Sequence, residues 1–258
     1  MRLKLISCEV FYREMCLAVS RSPHMIDISF LPKGLHDIGS AGMRERMQAA
    51  VDVAEAEMQA QGITYSAILL GYGLCNNGLA GLQARTVPLV LPRAHDCITL
   101  FLGSRQRYVE YFNANPGTYF KTTGWIDRGS ASGEFSQLSI QKQAGINTLL
   151  ADFISKYGED NGRYLFQMLG DDRHNYGQYT FIEMGVEPNS SYADSTKAEA
   201  DERGWKFQNV RGDMRLIQQL TDGEWNQEEF LIVPPGSQVR AKYDERIVDI
   251  EPAEEILG

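Results

Sequence analysis

The sequence predicts an α/β protein of two Rossmann-like lobes, each built on a mostly parallel sheet, with a cleft between them. Three observations predict it. Short apolar runs of strand length alternate with stretches of helical periodicity. The runs in the first half stop abruptly in glycine and polar residues, as at Ile68-Leu69-Leu70-Gly71 and Leu89-Val90-Leu91-Pro92. Similar endings return in the second half, Phe181-Ile182-Glu183-Met184-Gly185 and Leu231-Ile232-Val233-Pro234, which suggests a pseudo-repeat of one lobe by the other.

Taken in order, residues 2–10 read as a first strand ending near Cys8, followed by a short helix from Phe11 to Ser20 that carries Cys16. Met25 to Leu31 alternates apolar and polar residues, the pattern of a half-buried strand, and stops at Pro32. Ser40 is placed to cap a helix running to Gln61. Its face of Met43, Met47, Val51, Ala54 and Met58 recurs at three- and four-residue steps, and Gly62 closes it. Tyr65 to Leu70 is a strand, Asn77 to Gln83 a short helix, and Val87 to Leu91 a strand. Thr99 to Asn113 is helical with a break at Gly103. Thr118 to Trp125 is extended, 126–133 is a loop, and Glu134 to Leu169 is mainly helical with a break at Gly158-Glu159-Asp160. Strands at Tyr179–Met184, Trp205–Val210 and Phe230–Val233 then alternate with helices at Ala193–Arg203 and Asp213–Leu220, and Glu245 to Ile250 is extended. The expected division is an N-terminal lobe over 1–125, a helical connection over 126–170 and a C-terminal lobe over 171–258.

Composition narrows the function. A chain of 258 residues that is 43% hydrophobic can bury a substantial core. Its formal net charge of −9 argues against nucleic acid, which needs a concentrated basic face. It has no apolar run of 18 residues and no leader-like start, so neither a membrane partner nor secretion is expected. Four cysteines are too sparse for a disulfide framework, and a reducing cytoplasm is expected.

The cysteines nevertheless stand where chemistry is done. In parallel α/β sheets ligands bind outside the carboxyl ends of the strands. Cys8 ends the first strand, Cys75 follows the third, and His95 and Cys97 follow the fourth. Thiolate and imidazole are the donors that zinc and other borderline-soft metals prefer, so Cys8, Cys75, Cys97 and His95 are candidate metal ligands. Arg93, at the end of a buried strand, is the candidate for a substrate anion. Asp96 and His36 are the other candidate catalytic residues, each beside a strand end. Gly71, Gly73 and Asn76 form a turn for a close backbone approach to a cofactor. The turn lacks the third glycine of the dinucleotide fingerprint, since Asn76 stands there. Amides at a helix start would favour the Cys75 thiolate. Against this, a free cysteine is also among the most buried residue types, and Cys16 is read as a packing residue. Arg105 and Arg107 read as solvated helix charges. The loop Gly170–Gly177 could bring Asp172 or His174 to the cleft.

The run Ile68 to Gly78 followed by Pro92-Arg93-Ala94-His95-Asp96-Cys97-Ile98 resembles the DUF1638 family of bacterial and archaeal proteins, whose function is unknown. Asn115 to Phe120, Gly124-Trp125, Gly212 to Leu216, Asp222 to Trp225 and Val233 to Gly236 fit the same family. The resemblance implies an association with corrinoid-dependent methyl transfer, and hence a methyltransferase or corrinoid protein as partner. Three functions are therefore carried forward. One is a zinc-dependent group-transfer enzyme, acting on a thiol or an anionic small molecule and plausibly moving a methyl group. Another is a non-catalytic carrier of a metal, an iron–sulfur cluster or a corrinoid. The third is a small-molecule binding module whose cysteines only pack.

Overall fold

The computed structural model describes residues 1–128, 154, 158, 159 and 176–253, with the side chains of His36 and Asp37 excepted. The loop and helical connection expected over 126–170, and Asp172 and His174, fall largely or wholly outside these residues.

Three sheets are present among the described residues. The first has five strands in the order β2 (Met25–Leu31), β1 (Arg2–Cys8), β3 (Ala67–Gly71), β4 (Leu89–Pro92) and β8 (Phe230–Val233). The first four are parallel and β8 runs antiparallel to β4. The second sheet is parallel throughout, in the order β5 (Thr118–Lys121), β6 (Gln178–Glu183) and β7 (Lys206–Arg211). A hairpin of β9 (Ser237–Ala241) and β10 (Val248–Pro252) forms the third. The mixed α/β class and the mostly parallel sheets are thus as the sequence predicts.

Local chemistry accounts for most elements. β3 is buried along its whole length and β1 nearly so, the condition of parallel strands covered on both faces. In α2 (Gly39–Gln61) the face of Met43, Met47, Val51, Ala54 and Met58 is the buried one, and Gly62 ends the helix in the left-handed conformation. The cap expected of Ser40 is absent: the helix starts one residue earlier, with no side-chain cap. Gly103 is left-handed too, and splits the expected long helix into α3 (Cys97–Leu102) and α4 (Arg105–Ala114). The remaining helices are α1 (Tyr12–Arg21), α5 (Thr123–Asp127), α6 (Ser191–Arg203) and α7 (Arg215–Asp222). Residues 75–81 are successive turns, and the helix expected over Asn77 to Gln83 is absent. This segment bonds to β9 instead, through Gly81 N–H to Val239 O at 2.7 Å and Val239 N–H to Leu82 O at 2.9 Å.

The division of the chain differs from the expected one. Strand β8 pairs with β4, Leu89 opposite Val233 and Leu91 opposite Leu231. The two rhyming segments are therefore neighbours in one sheet, not equivalents in two lobes. Helix α7 packs on α1, β3 and β4 through Leu216, Ile217 and Leu220. The chain leaves the first lobe near β5, builds the second sheet, and returns after β7. Gly124 fits closely where the parts meet: a Cβ there would lie 1.7 Å from the carbonyl oxygen of Val10.

Glu14 on α1 is 1% exposed, and neither carboxyl oxygen has a hydrogen-bond partner among the described residues. Burial raises its pKa to about 7, with the nearby Glu187 adding to the rise. The unfolded chain loses this proton near pH 4.5 while the folded one keeps it until about 7. The folded state binds more protons across that window, so stability falls as pH rises through it. At about 1.4 kcal/mol per pH unit, the loss above pH 7 is on the order of 3 kcal/mol. Glu14→Gln should therefore raise the urea midpoint clearly at pH 8 and little at pH 4.5, measured by circular dichroism.

Candidate functional site at the carboxyl edge of the first sheet

The strand order 2-1-3-4 reverses direction between β1 and β3, and crevices at such a reversal are where open α/β sheets bind ligands. Cys8 is the last residue of β1, and the turn after β3 carries Tyr72, Gly73, Leu74 and Cys75 beside it. The loop after β4 runs alongside. Leu74 N–H donates to Ala94 O at 2.8 Å and Cys75 N–H to His95 O at 2.9 Å. Gly73 permits the approach: a Cβ would stand 2.7 Å from the backbone of Asp96. Gly71 does the same toward β1, where a Cβ would meet Ser7 Oγ at 2.3 Å. Gly73 thus packs loop on loop and Gly71 strand on strand.

Beyond Gly73 the chain turns with positive φ at three consecutive non-glycine residues, Cys75 at 43°, Asn76 at 54° and Asn77 at 62°. Asparagine tolerates this region, whereas for cysteine it costs about 1 kcal/mol or more. The strain holds Cys75 at the rim of a cavity of about 730 Å³. Cys8 and Cys97 line the same cavity, as do His95, Asp96 and Asn76. The second lobe contributes Thr118, Tyr119, Phe120 and Tyr176. The cavity thus lies at the carboxyl edge of the first sheet and is closed by residues at the start of β5 and β6.

Burial dominates the electrostatics of the three thiols. Burial pushes Cys8 up to about 12. Burial also raises Cys75, with Cys8 and then Asp96 adding to the rise. Cys97 is raised by burial, then by Cys75, Asp96 and Cys8. All three are therefore thiols at neutral pH, and the expected helix-start activation of Cys75 is replaced by the opposite effect. The Val10 backbone, Lys33 and Tyr72 oppose the rise at Cys8, and Trp125 opposes it at Cys97. Tyr72 is 3% exposed and its hydroxyl has no hydrogen-bond partner of good geometry. Sequence reasoning passed over it, although its place between two tightly packed glycines was a signal.

The other candidates are placed as follows. His95 is exposed on the rim, its carbonyl engaged by Cys75. Asp96 caps α3, accepting from Ile98 N–H at 3.1 Å and Thr99 N–H at 3.3 Å, and from the Tyr108 hydroxyl at 3.0 Å. Burial raises its pKa against those bonds. One oxygen thereby orders the start of α3 and the other meets Tyr108, while the residue also lines the cavity. The role expected of Arg93 is corrected. It does not line the cavity, and its guanidinium donates to the carbonyls of Gln227 (2.9 Å), Arg246 (3.0 Å) and Val248, fastening the C-terminal hairpin. Arg105 and Arg107 also bind backbone carbonyls, of Glu228 and Leu102 among others, and are not free surface charges. His36 lies in a 3-10 turn, Lys33–Ile38, and its side chain is outside the described residues. Cys16 is exposed, not packed.

Among the described residues no group of three or more His, Cys, Asp or Glu side chains stands in an arrangement that could hold a metal ion. The donor types suit a soft cation, but they are not gathered around one point. Cys16 should consequently be the thiol alkylated first by iodoacetamide at pH 7.5, being exposed and only modestly raised by burial. Cys75 and Cys97 should follow slowly and Cys8 last, with rates rising toward high pH; peptide mass spectrometry resolves the four sites.

No curated protein matches the chain, and no solved structure does. No helix among the described residues is long and apolar enough to cross a membrane. Residues 30–221, well over half of the chain, match the family described as protein of unknown function (DUF1638), and the protein belongs to that family.

Proposed function

We propose that the cleft is the site of a metal-assisted group transfer on a small organic substrate, with Cys8, Cys75 and Cys97 as the donors to zinc or a similar borderline-soft ion. One observation carries this reading: three cysteines far apart in sequence open from separate strand ends onto one cavity. Such an ion, when bound, supplies a Lewis acid that lowers the pKa of a substrate thiol or water.

The chain's own residues would then do the following. The thiols give up protons that burial and their mutual repulsion otherwise hold, and a cation removes both penalties. Tyr72, near Cys8, would lower the cost of charging its sulfur. His95, on the rim, is the candidate fourth donor. The aromatic wall of the second lobe keeps water from the reacting group. Methyl transfer, and a methyltransferase or corrinoid protein as partner, rest on the family resemblance alone.

A second reading is favoured by the ungathered thiols: a binding cavity in which protonated cysteines serve as apolar lining. Metal analysis of anaerobically purified protein separates the two. The first reading expects bound zinc, release of about one proton per ligating thiol at pH 7.5, and at least a tenfold affinity loss in Cys75→Ser. Absence of metal, or equal zinc binding by Cys75→Ser, would leave the binding cavity. A visible absorption band would instead indicate a cluster or corrinoid carrier.

A further inference from the structure

We propose that the protein forms a two-fold dimer in which β2 pairs with β2 of a second copy, antiparallel and centred on Ile28. The inference concerns an edge of the first sheet and does not depend on what the cleft binds.

Strand β2 ends its sheet, with β1 as its one strand partner among the described residues. Within a parallel strand the N–H and C=O of each residue point to the same side, and successive residues alternate. Met25 N–H donates to Met1 O at 3.1 Å, and Met25 stands opposite Arg2, so Met25, Asp27, Ser29 and Leu31 turn their main-chain groups toward β1. Ile26, Ile28 and Phe30 therefore turn theirs outward. None of these outward groups has a hydrogen-bond partner among the described residues.

An open edge is a template for another strand, and sheets that avoid pairing guard it with charge or proline. β2 is poorly guarded. Met25, Ile26, Ile28, Phe30 and Leu31 are apolar, and Asp27 is its one charge. The surroundings are apolar too. Met25 is 62% exposed and Met1, bonded to it, 54%. Tyr12, whose ring packs on Phe30 at 4.9 Å, is 46% exposed. Grouped apolar exposure of this kind marks an interaction surface. Strand β7 at the edge of the second sheet shows the contrast: it begins with Lys206 and ends with Arg211, and pairing with its own copy end to end would set these cations against each other.

The occupant is a second copy because β2 is complementary to itself when reversed. Turned about Ile28, it sets Met25 against Leu31, Ile26 against Phe30 and Asp27 against Ser29 of the second copy. Apolar side chains meet apolar ones, and no like charges oppose. Asp27 meets a hydroxyl, and Arg2 of its own chain neutralises it at 2.9 Å. The main chain agrees with the side chains. This register places outward-facing residues opposite outward-facing residues, so Ile28 and its counterpart exchange both hydrogen bonds, as do Ile26 and Phe30 on either side. The contact uses one patch on both copies and closes on itself, so it stops at the dimer. The two cavities then lie at opposite edges of one continuous sheet.

Sedimentation equilibrium and amide hydrogen exchange on the full chain test this together. The expected particle has twice the mass of the 29.0 kDa chain, and the amides of Ile26, Ile28 and Phe30 slow as protein concentration rises. Ser29→Asp sets two carboxylates opposite each other at both ends of the contact and should raise the dissociation constant about tenfold. Ser29→Lys sets a cation opposite Asp27 and should leave the constant equal or lower. Ile28→Pro removes an outward N–H that β1 does not use and should weaken the dimer at least tenfold; if that variant does not fold, the two Ser29 variants decide. A monomer at about 1 mM whose three amides exchange freely overturns the inference. A monomer in which they stay protected has the edge covered by its own chain, and overturns it as well. So does a dimer that both Ser29 variants weaken alike, or that neither affects, because its contact then lies elsewhere or in another register.

Discussion

The site depends on how closely two loops approach at the carboxyl edge of the first sheet. Gly73 lies against the backbone of Asp96 with no room for a side chain, and two main-chain hydrogen bonds, Leu74 to Ala94 and Cys75 to His95, fasten the loops together. Strand β3 delivers the first loop and β4 the second, so their separation is set by the sheet itself. Once the loops are joined, Cys75 and Cys97 must face the end of β1, where Cys8 sits. The left-handed run at Cys75 to Asn77 is a consequence: the chain has to reverse immediately after the contact, and the surrounding bonds hold it in a costly conformation.

Much of this arrangement is legible in the sequence because it is local. The strand ends, the glycine stops at Gly62 and Gly103, and the buried face of α2 each follow from residues within a few positions of one another. That the three cysteines line one cavity follows from one added rule, that ligand sites gather at the carboxyl ends of parallel strands. What could not be read depends on residues brought together from afar. Leu231-Ile232-Val233 resembles Leu89-Val90-Leu91 because both are buried strands of one sheet. Similarity of environment was thus taken for repetition of a unit, since a strand's composition reports burial and not partner. The turn segment ending at Gly81 and Leu82 pairs with β9, a strand about 150 residues away that has no strong pattern of its own.

The charged residues show the same limit. Arg93 ends a buried strand, which suggested a ligand for its guanidinium. The C-terminal hairpin occupies that place, and its carbonyls meet the donors instead. A buried guanidinium needs several acceptors, and main-chain oxygens serve as well as a substrate anion. Asp96 was noticed for its neighbours His95 and Cys97, but its own position before an apolar hexapeptide marks a helix cap. Its carboxylate orders the start of α3 and thereby sets where Cys97 stands. It acts on the site through position.

The three thiols and the aromatic cavity pose opposite electrostatic demands, and that opposition constrains what the cleft can do. Burial keeps the thiols protonated, because a sulfur that ionises must be charged in a poorly solvated place, and for Cys75 and Cys97 another thiol adds to the cost. A wet cleft would relieve that penalty but would give up the enclosure on which an apolar ligand depends. A cation at the sulfurs relieves it without admitting water. An organic molecule in the cavity needs no relief, since neutral thiols are compatible with it. The two proposed readings answer this opposition differently: neutral thiols lining a cavity for an organic molecule, or thiolates beside a cation. Tyr72 bears on the sulfur side alone: its hydroxyl lies near Cys8 and is shut off from the cavity, so it acts on whether that sulfur is charged and not on what fills the space beside it.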